Sequence, residues 1–154
     1  MKVVHLVGGI CSGKSYVRSE LGLPGWDIKE DFYIKHGIIK NGVMDWNQFN
    51  KHAPHMCKDV RAAYEKAKSE GAHVFIIESS GSGKWINNIL RREFHEHIRL
   101  ILKSPDDTEL RKRCEKRGDN YDNIIDFKKR VSPPLGQELT QKEVKERIME
   151  IINK

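Results

Sequence analysis

Cysteine is scarce and unpatterned: Cys11, Cys57 and Cys114 are odd in number, and none of them is spaced C-x-x-C. That excludes a disulfide framework and suits a reducing, cytoplasmic compartment. Long hydrophobic runs are missing too. No apolar stretch approaches the ~20 residues that cross a bilayer, so no membrane partner is expected. The apolar N-terminus does not read as a secretion signal, because its would-be cleavage region is the glycine-rich stretch described below. There is no internal repeat and no low-complexity tract, which excludes a repeat array and a compositionally biased tail. What the chain does carry is charge. Charged residues make up 32 % against 38 % hydrophobic, with a formal net charge of +6. Such a surface favours polyanionic ligands. The densest basic run, Arg111-Lys112-Arg113 through Lys116-Arg117, reads equally as a solvated helix face. At 154 residues the chain is expected to form one domain over 1–154, long enough to bury a core under one sheet, as a monomer or homodimer.

One segment dominates the reading. The apolar run at 3–7 leads into Gly8-Gly9-Ile10-Cys11-Ser12-Gly13-Lys14-Ser15, which spells G-x-x-x-x-G-K-S. In such a P-loop, glycines let successive backbone N–H groups turn inward around a β-phosphate, the lysine reaches the β/γ oxygens and the serine hydroxyl ligates Mg²⁺. A helix opening near Gly13 adds its N-terminal partial charge. All eight residues are therefore assigned to nucleotide binding. Nucleotide phosphates are sufficient to account for the basic charge; nucleic acid is not required by it. No guanine-reading N-K-x-D occurs, which favours ATP.

Around this loop the chain alternates strands and helices. Residues 3–7 form a buried strand, 15–21 a helix closed by Gly22 and Pro24, and 26–28 a short second strand ending in Glu30-Asp31. Residues 37–47 carry two glycines and little periodicity and read as a loop or flap. Met56, Val60, Ala63, Tyr64 and Ala67 stripe an amphipathic helix over 54–70, stopped by Gly71. Strands at 73–77 and 98–102 follow, with helices over 84–95, 106–117 and 123–131, the last stopped by Pro133-Pro134. Thr140-Gln141-Lys142-Glu143 is a capping box opening a final helix through Ile152. This alternation predicts a parallel sheet covered on both faces by helices, with ligands beyond the carboxyl ends of its strands.

Phosphoryl transfer needs a phosphate cradle, a metal held by oxygens, cations for the transferring group and a carboxylate for the acceptor. Lys14 is the transfer cation. Ser15 and Glu78, the latter directly after the strand at 73–77, are the metal candidates; Glu78 can also position the attacking group, or merely cap the next helix. Asp31, across the crevice, can take the proton of an acceptor hydroxyl. Asp27 and Glu30 compete for that role, and adjacent strand positions point to opposite faces, so Asp31 and Glu30 should not both enter the site. Arg111, Arg113, Arg117 and Arg130 are candidates to close over the nucleotide. Arg113 and Arg117 are four apart and share a helix face, which Arg111 does not fully join. Trp46, Phe49 and Phe32 either stack on a base or pack a flap. Gly81-Ser82-Gly83-Lys84 imitates the end of a P-loop but has Glu78 where the first glycine belongs and Trp85 where Ser or Thr belongs, so it reads as a helix-opening turn. His52, His55 and Cys57 lack zinc-ligand spacing and read as surface residues.

With these residues in hand, the chain resembles the P-loop kinases of nucleosides and nucleotides. Glu30-Asp31-Phe32-Tyr33 and Asp45-Trp46-Asn47-Gln48-Phe49 are similar to segments of the uridine kinase and nicotinamide riboside kinase group. Arg117, Asp119-Asn120 and Lys129-Arg130 look like a shortened version of the lid region of adenylate and UMP/CMP kinases, with a last strand barely visible near Glu138-Leu139. The resemblance implies a three-layer α/β P-loop fold with a parallel sheet, an acceptor flap over about 30–70 and a short lid over about 106–131. It also implies ATP and Mg²⁺ as cofactors and a small-molecule phosphoryl acceptor, a nucleoside or nucleotide. Asp31 would then activate the acceptor, with Tyr33, Asp45, Trp46 and Glu78 binding it. The alternatives are another small acceptor (a sugar, a vitamin precursor or a polynucleotide end) and a regulatory ATP-binding module that is not a kinase.

Overall fold

The chain runs β1 (Lys2–Val7), α1 (Lys14–Leu21), β2 (Gly25–Asp27), a π-helical segment (Ile28–Ile34), β3 (Ile39–Lys40) and β4 (Val43–Met44). It continues through α2 (Trp46–His52), a 3₁₀ turn (Ala53–His55), α3 (Met56–Ser69), β5 (Val74–Ser79), α4 (Lys84–Glu93) and β6 (Ile98–Leu102). α5 (Asp107–Arg117), α6 (Tyr121–Arg130), β7 (Glu138–Leu139) and α7 (Gln141–Ile152) complete it. The computed structural model describes residues 1–9, 11–130 and 135–154, apart from the side chains at 127 and 130. The expected helix stop at Pro133-Pro134 lies outside the described residues.

β1 and β5 are buried along almost every residue, which requires cover on both faces and puts them at the middle of a sheet. The five strands lie in the order β2-β5-β1-β6-β7, and each adjacent pair is parallel. Strand periodicity divides the core in two. Val3, Phe75 and Ile77 pack with Phe32, Met56, Val60, Ile86 and Leu90 on one face; Val4, Leu6, Val74 and Ile76 pack with Val17, Val144 and Ile148 on the other. Each fully buried Leu, Ile or Phe contributes about 1.5–3 kcal/mol. From β1 the chain passes over the place of β5 to reach β2, returns to β5, and then crosses to β6 on the far side of β1. The connections leaving the neighbouring strands β1 and β5 run to opposite sides, and that divergence opens a crevice at their carboxyl ends.

Two segments depart from the sequence reading. Residues 28–34 are helical rather than the end of a strand: Asp27 caps the segment by accepting from Lys29 N–H at 2.9 Å, and Ile28 and Phe32, four apart, both turn inward. The strand argument that set Glu30 against Asp31 therefore does not apply there. The stretch read as a flap contains a two-stranded hairpin, β3–β4, turned by Asn41 (φ 53°) and Gly42 (φ 76°). Positive φ at both central residues is the primed turn that suits a hairpin's twist. Asp45 then accepts from Asn47 and Gln48 N–H, capping α2 and making Trp46 its first residue. The Thr140–Glu143 capping box is formed as the sequence predicts.

Candidate active site

The turn after β1 wraps back on itself. Gly8 N–H donates to Ser79 O of the neighbouring strand, Ser12 N–H donates to Gly9 O, and Gly13, at φ 98°, starts α1. Gly13 is favoured by its φ, and Gly8 and Gly13 are crowded by neighbouring side chains. A Cβ on Gly8 would lie 2.5 Å from Ser12 Oγ and 3.3 Å from Lys14 Cγ, and one on Gly13 would run into the Gln141 side chain. Lys14 folds over the turn, its Nζ donating to Gly8 O at 2.6 Å and Gly9 O at 2.9 Å. Burial lowers its pKa, with Lys29 and Arg117 adding to the fall and Asp27 and Glu78 opposing it. Ser12 Oγ is buried and has no hydrogen-bond partner among the described residues. A tight glycine-rich turn, a half-buried cation and an orphaned hydroxyl fit an anionic phosphate chain. Ile10 lies outside the described residues.

Glu78 closes the floor of the crevice. It is fully buried, stands opposite Asp27 in the β2–β5 register and opposite Leu6 in the β1–β5 register. Ser15 Oγ donates to its Oε1 at 3.1 Å, and Arg18 Nη1 lies 2.9 Å from its Oε2 as a charge contact. Burial raises the Glu78 pKa; Arg18 opposes that, Asp27 adds to it, and Ser15 and Lys14 oppose it. The second helical-face partner, Arg18, was missed at the sequence level. Its signal was present, since Ser15 and Arg18 are three apart and share a face of α1. Gly25 leaves the passage: a Cβ there would sit 2.8 Å from Arg18 Nη1. Oxygen donors from Ser15 and Glu78 side by side suit a hard divalent cation such as Mg²⁺.

From the other side α5 lays two arginines on the P-loop. Arg113 Nη1 donates to Cys11 O at 2.8 Å while its Nε holds Glu109, and Arg117 Nη1 lies 3.3 Å from Cys11 Sγ. Arg111 faces elsewhere, its guanidinium 4.6 Å from the centre of the Tyr121 ring, as its different position on the helix dictates. Arg130 is on α6, and its side chain lies outside the described residues.

At the end of β2, Asp27 is nearly buried and Glu30 is exposed. Asp31 Oδ2 accepts from Asp27 N–H at 2.8 Å, so the Asp31 carboxylate is tied to the backbone at the end of β2. Tyr33 is half-buried against Phe49, with ring centres 6.2 Å apart, and burial raises its pKa. Trp46 stays 63 % exposed, edge-on to Phe49, and Asp45 is engaged in capping α2. Phe32 is in the core. Gly83 caps the start of α4, which makes Gly81–Lys84 a helix-opening turn. Below it, the buried pair His5 Nε2–Ser79 Oγ (2.6 Å) supports that turn, since Ser79 Oγ also accepts from Gly81 N–H. Burial, then His97 and Arg99, lowers the His5 pKa to about 3, so the ring is neutral.

Sheet order, glycine-rich first turn and flanking helix layers together define the P-loop kinase fold, a three-layer α/β arrangement. The chain is similar to a sugar kinase from Janibacter sp. HTCC2649 at 17 % identity and TM-score 0.58, over 99 % of this chain and 95 % of that one. A gluconokinase from Sinorhizobium meliloti 1021 aligns at 12 % identity and TM-score 0.54, over 99 % and 91 %. Shikimate kinase from Acinetobacter baumannii, solved in complex with shikimate, aligns at 12 % identity and TM-score 0.50, over 99 % and 93 %. At such identities the likeness is one of fold. No protein-family model matches the chain, and no curated protein matches it. None of the three structures carries the name of a nucleoside kinase. Among the described residues no helix is long and apolar enough to cross a membrane.

Proposed function

We propose that this protein is a small-molecule kinase that transfers the γ-phosphoryl of ATP, with Mg²⁺, to a hydroxyl of a small acceptor, a nucleoside in the first reading. The observation that carries it is the convergence of Lys14, Ser15, Glu78, Arg113 and Arg117 on one turn at the carboxyl ends of β1 and β5. Loop amides and Lys14 bind the phosphates. Ser15 and Glu78 would hold Mg²⁺, which neutralises charge across the β- and γ-phosphates. Arg113 and Arg117 sit where they can leave Cys11 for the transferring group and keep water from it. Asp31, tethered by Asp27 N–H through one oxygen, keeps its other oxygen to accept the acceptor's proton. Tyr33 and Trp46 supply ring surface for the acceptor. A cytoplasmic monomer or homodimer suits this role.

The second reading moves the acceptor to a sugar or sugar-like acid, as the names of the similar structures suggest. Incubating nucleosides, nucleoside monophosphates, sugars and hydroxy acids with ATP and Mg²⁺, and scoring each acceptor by mass, tests both. Addition of one phosphate to a hydroxyl acceptor is expected. ATP hydrolysis that no acceptor accelerates would leave a regulatory module as the better account.

The cradle itself makes a narrower prediction. Gly8→Ala is expected to weaken ATP binding by about tenfold or more, roughly 1.4 kcal/mol, because the added methyl meets Ser12 Oγ and the Lys14 stem. Isothermal titration checks it, and an unchanged Kd would mean that the turn is not the phosphate site.

A further inference from the structure

Cys11 and Cys114 are 103 residues apart in sequence, yet their sulfurs lie 3.9 Å apart in the fold. One belongs to the P-loop and the other to α5, and both are buried free thiols within a small cluster with Leu110 and Ile124. We propose that these two thiols form a reversible disulfide that ties the P-loop to α5 and disables nucleotide binding. The pairing rests on the thiol geometry alone; its consequence rests on the P-loop being the nucleotide site.

The surroundings give the two sulfurs different parts. Arg117 Nη1 lies 3.3 Å from Cys11 Sγ, so a thiolate at Cys11 has a cation at hand, and Cys11 is the less deeply buried of the two, 6 % exposed against 0 % for Cys114. Burial, and then Cys11 itself, push the Cys114 thiol up to about 11, which keeps it protonated and makes it the second partner. With a peroxide as oxidant, the Cys11 thiolate attacks one oxygen and the O–O bond breaks. Hydroxide leaves and takes a proton as water, and Cys11 becomes a sulfenic acid. Cys114 sulfur then attacks Cys11 sulfur, the S–O bond breaks, and the departing hydroxide carries off the Cys114 proton. Two thiols are oxidised and one peroxide is reduced to two waters. The sulfurs must close to a bond of about 2 Å. Part of that movement falls on Cys11, whose backbone already holds φ at 61° and whose carbonyl takes the Arg113 hydrogen bond. The loop amides on either side are thereby re-aimed, and Arg117 loses its sulfur contact.

The test treats the reduced chain with hydrogen peroxide, maps it without reductant by mass spectrometry, and titrates ATP before oxidation, after it, and after dithiothreitol. The expected result is a loss of two hydrogens, a linked Cys11–Cys114 peptide, and ATP affinity at least tenfold weaker that dithiothreitol restores. Cys114→Ala should bind ATP as the reduced wild type does and, after peroxide, give no disulfide-linked Cys11 peptide within the chain. Oxygen addition or Cys57-linked dimers without the Cys11–Cys114 link would overturn the proposal, as would a link that leaves ATP affinity unchanged. A link formed in a chain that ignores ATP even when reduced supports the thiol pairing and counts against the kinase reading instead.

Discussion

Replacing Lys14 with alanine is expected to lower phosphoryl transfer by about 10²–10³-fold, the scale on which a single preorganised charge partner acts in a transition state. The reason lies in how the side chain is held. Its ammonium is clasped by Gly8 O and Gly9 O, so it is positioned before any substrate arrives, and its partial burial reduces the water that would blunt its field. Asp27 and Glu78 lie near enough to favour its protonated form, which is the form transfer requires. Arginine should not rescue the variant. A planar guanidinium cannot take the place of a compact ammonium between two carbonyls of so tight a turn. Single-turnover transfer from labelled ATP gives the rate, and a thermal melt separates lost chemistry from lost fold. Transfer within about threefold of wild type would mean that the triphosphate tail does not lie along this turn.

What could be read from the sequence divides along the distance over which each feature is encoded. The P-loop is local: its glycines, Lys14 and the preceding apolar run occupy neighbouring positions, and the turn they form follows from backbone freedom and steric room. The run Val74–Ile77 and the Thr140 box are local too, and the strands and helices they predict are present. The hairpin at 39–44 was equally local but went unread, because Asn41-Gly42 between two pairs of residues is a short signal beside two glycines that suggest a loop. The strand at 26–27 is present, but the sequence reading carries it too far into 28–31, since the helical character of that segment depends on which residues Phe32 and Ile28 find in the core. Partners across the fold leave little local trace, the shared helix face of Ser15 and Arg18 apart. Arg113 meets Cys11 over 102 residues and Ser15 meets Glu78 over 63, and only the sheet order brings them together.

Asp31→Asn is expected to cut kcat by about 10²–10⁴-fold, the range for loss of a positioned general base, with ATP affinity unchanged. The substitution is clean for a structural reason. Asp31 Oδ2 serves Asp27 N–H, and an asparagine can turn its carbonyl oxygen to the same donor, so the segment's tether survives while the proton-accepting oxygen is lost. Asp27→Asn should behave differently. Asp27 is nearly buried, stands in register with Glu78, and bears electrostatically on both Glu78 and Lys14. Removing its charge would perturb the side of the site proposed to hold the phosphates and metal, so its damage is expected in ATP·Mg²⁺ affinity as well as in turnover. The pair of variants therefore assigns the carboxylates by where each loss falls. If Asp31→Asn turns over hydroxyl acceptors at the wild-type rate while Asp27→Asn loses kcat alone, the base is Asp27, and Asp31 is a tether for the turn that presents it.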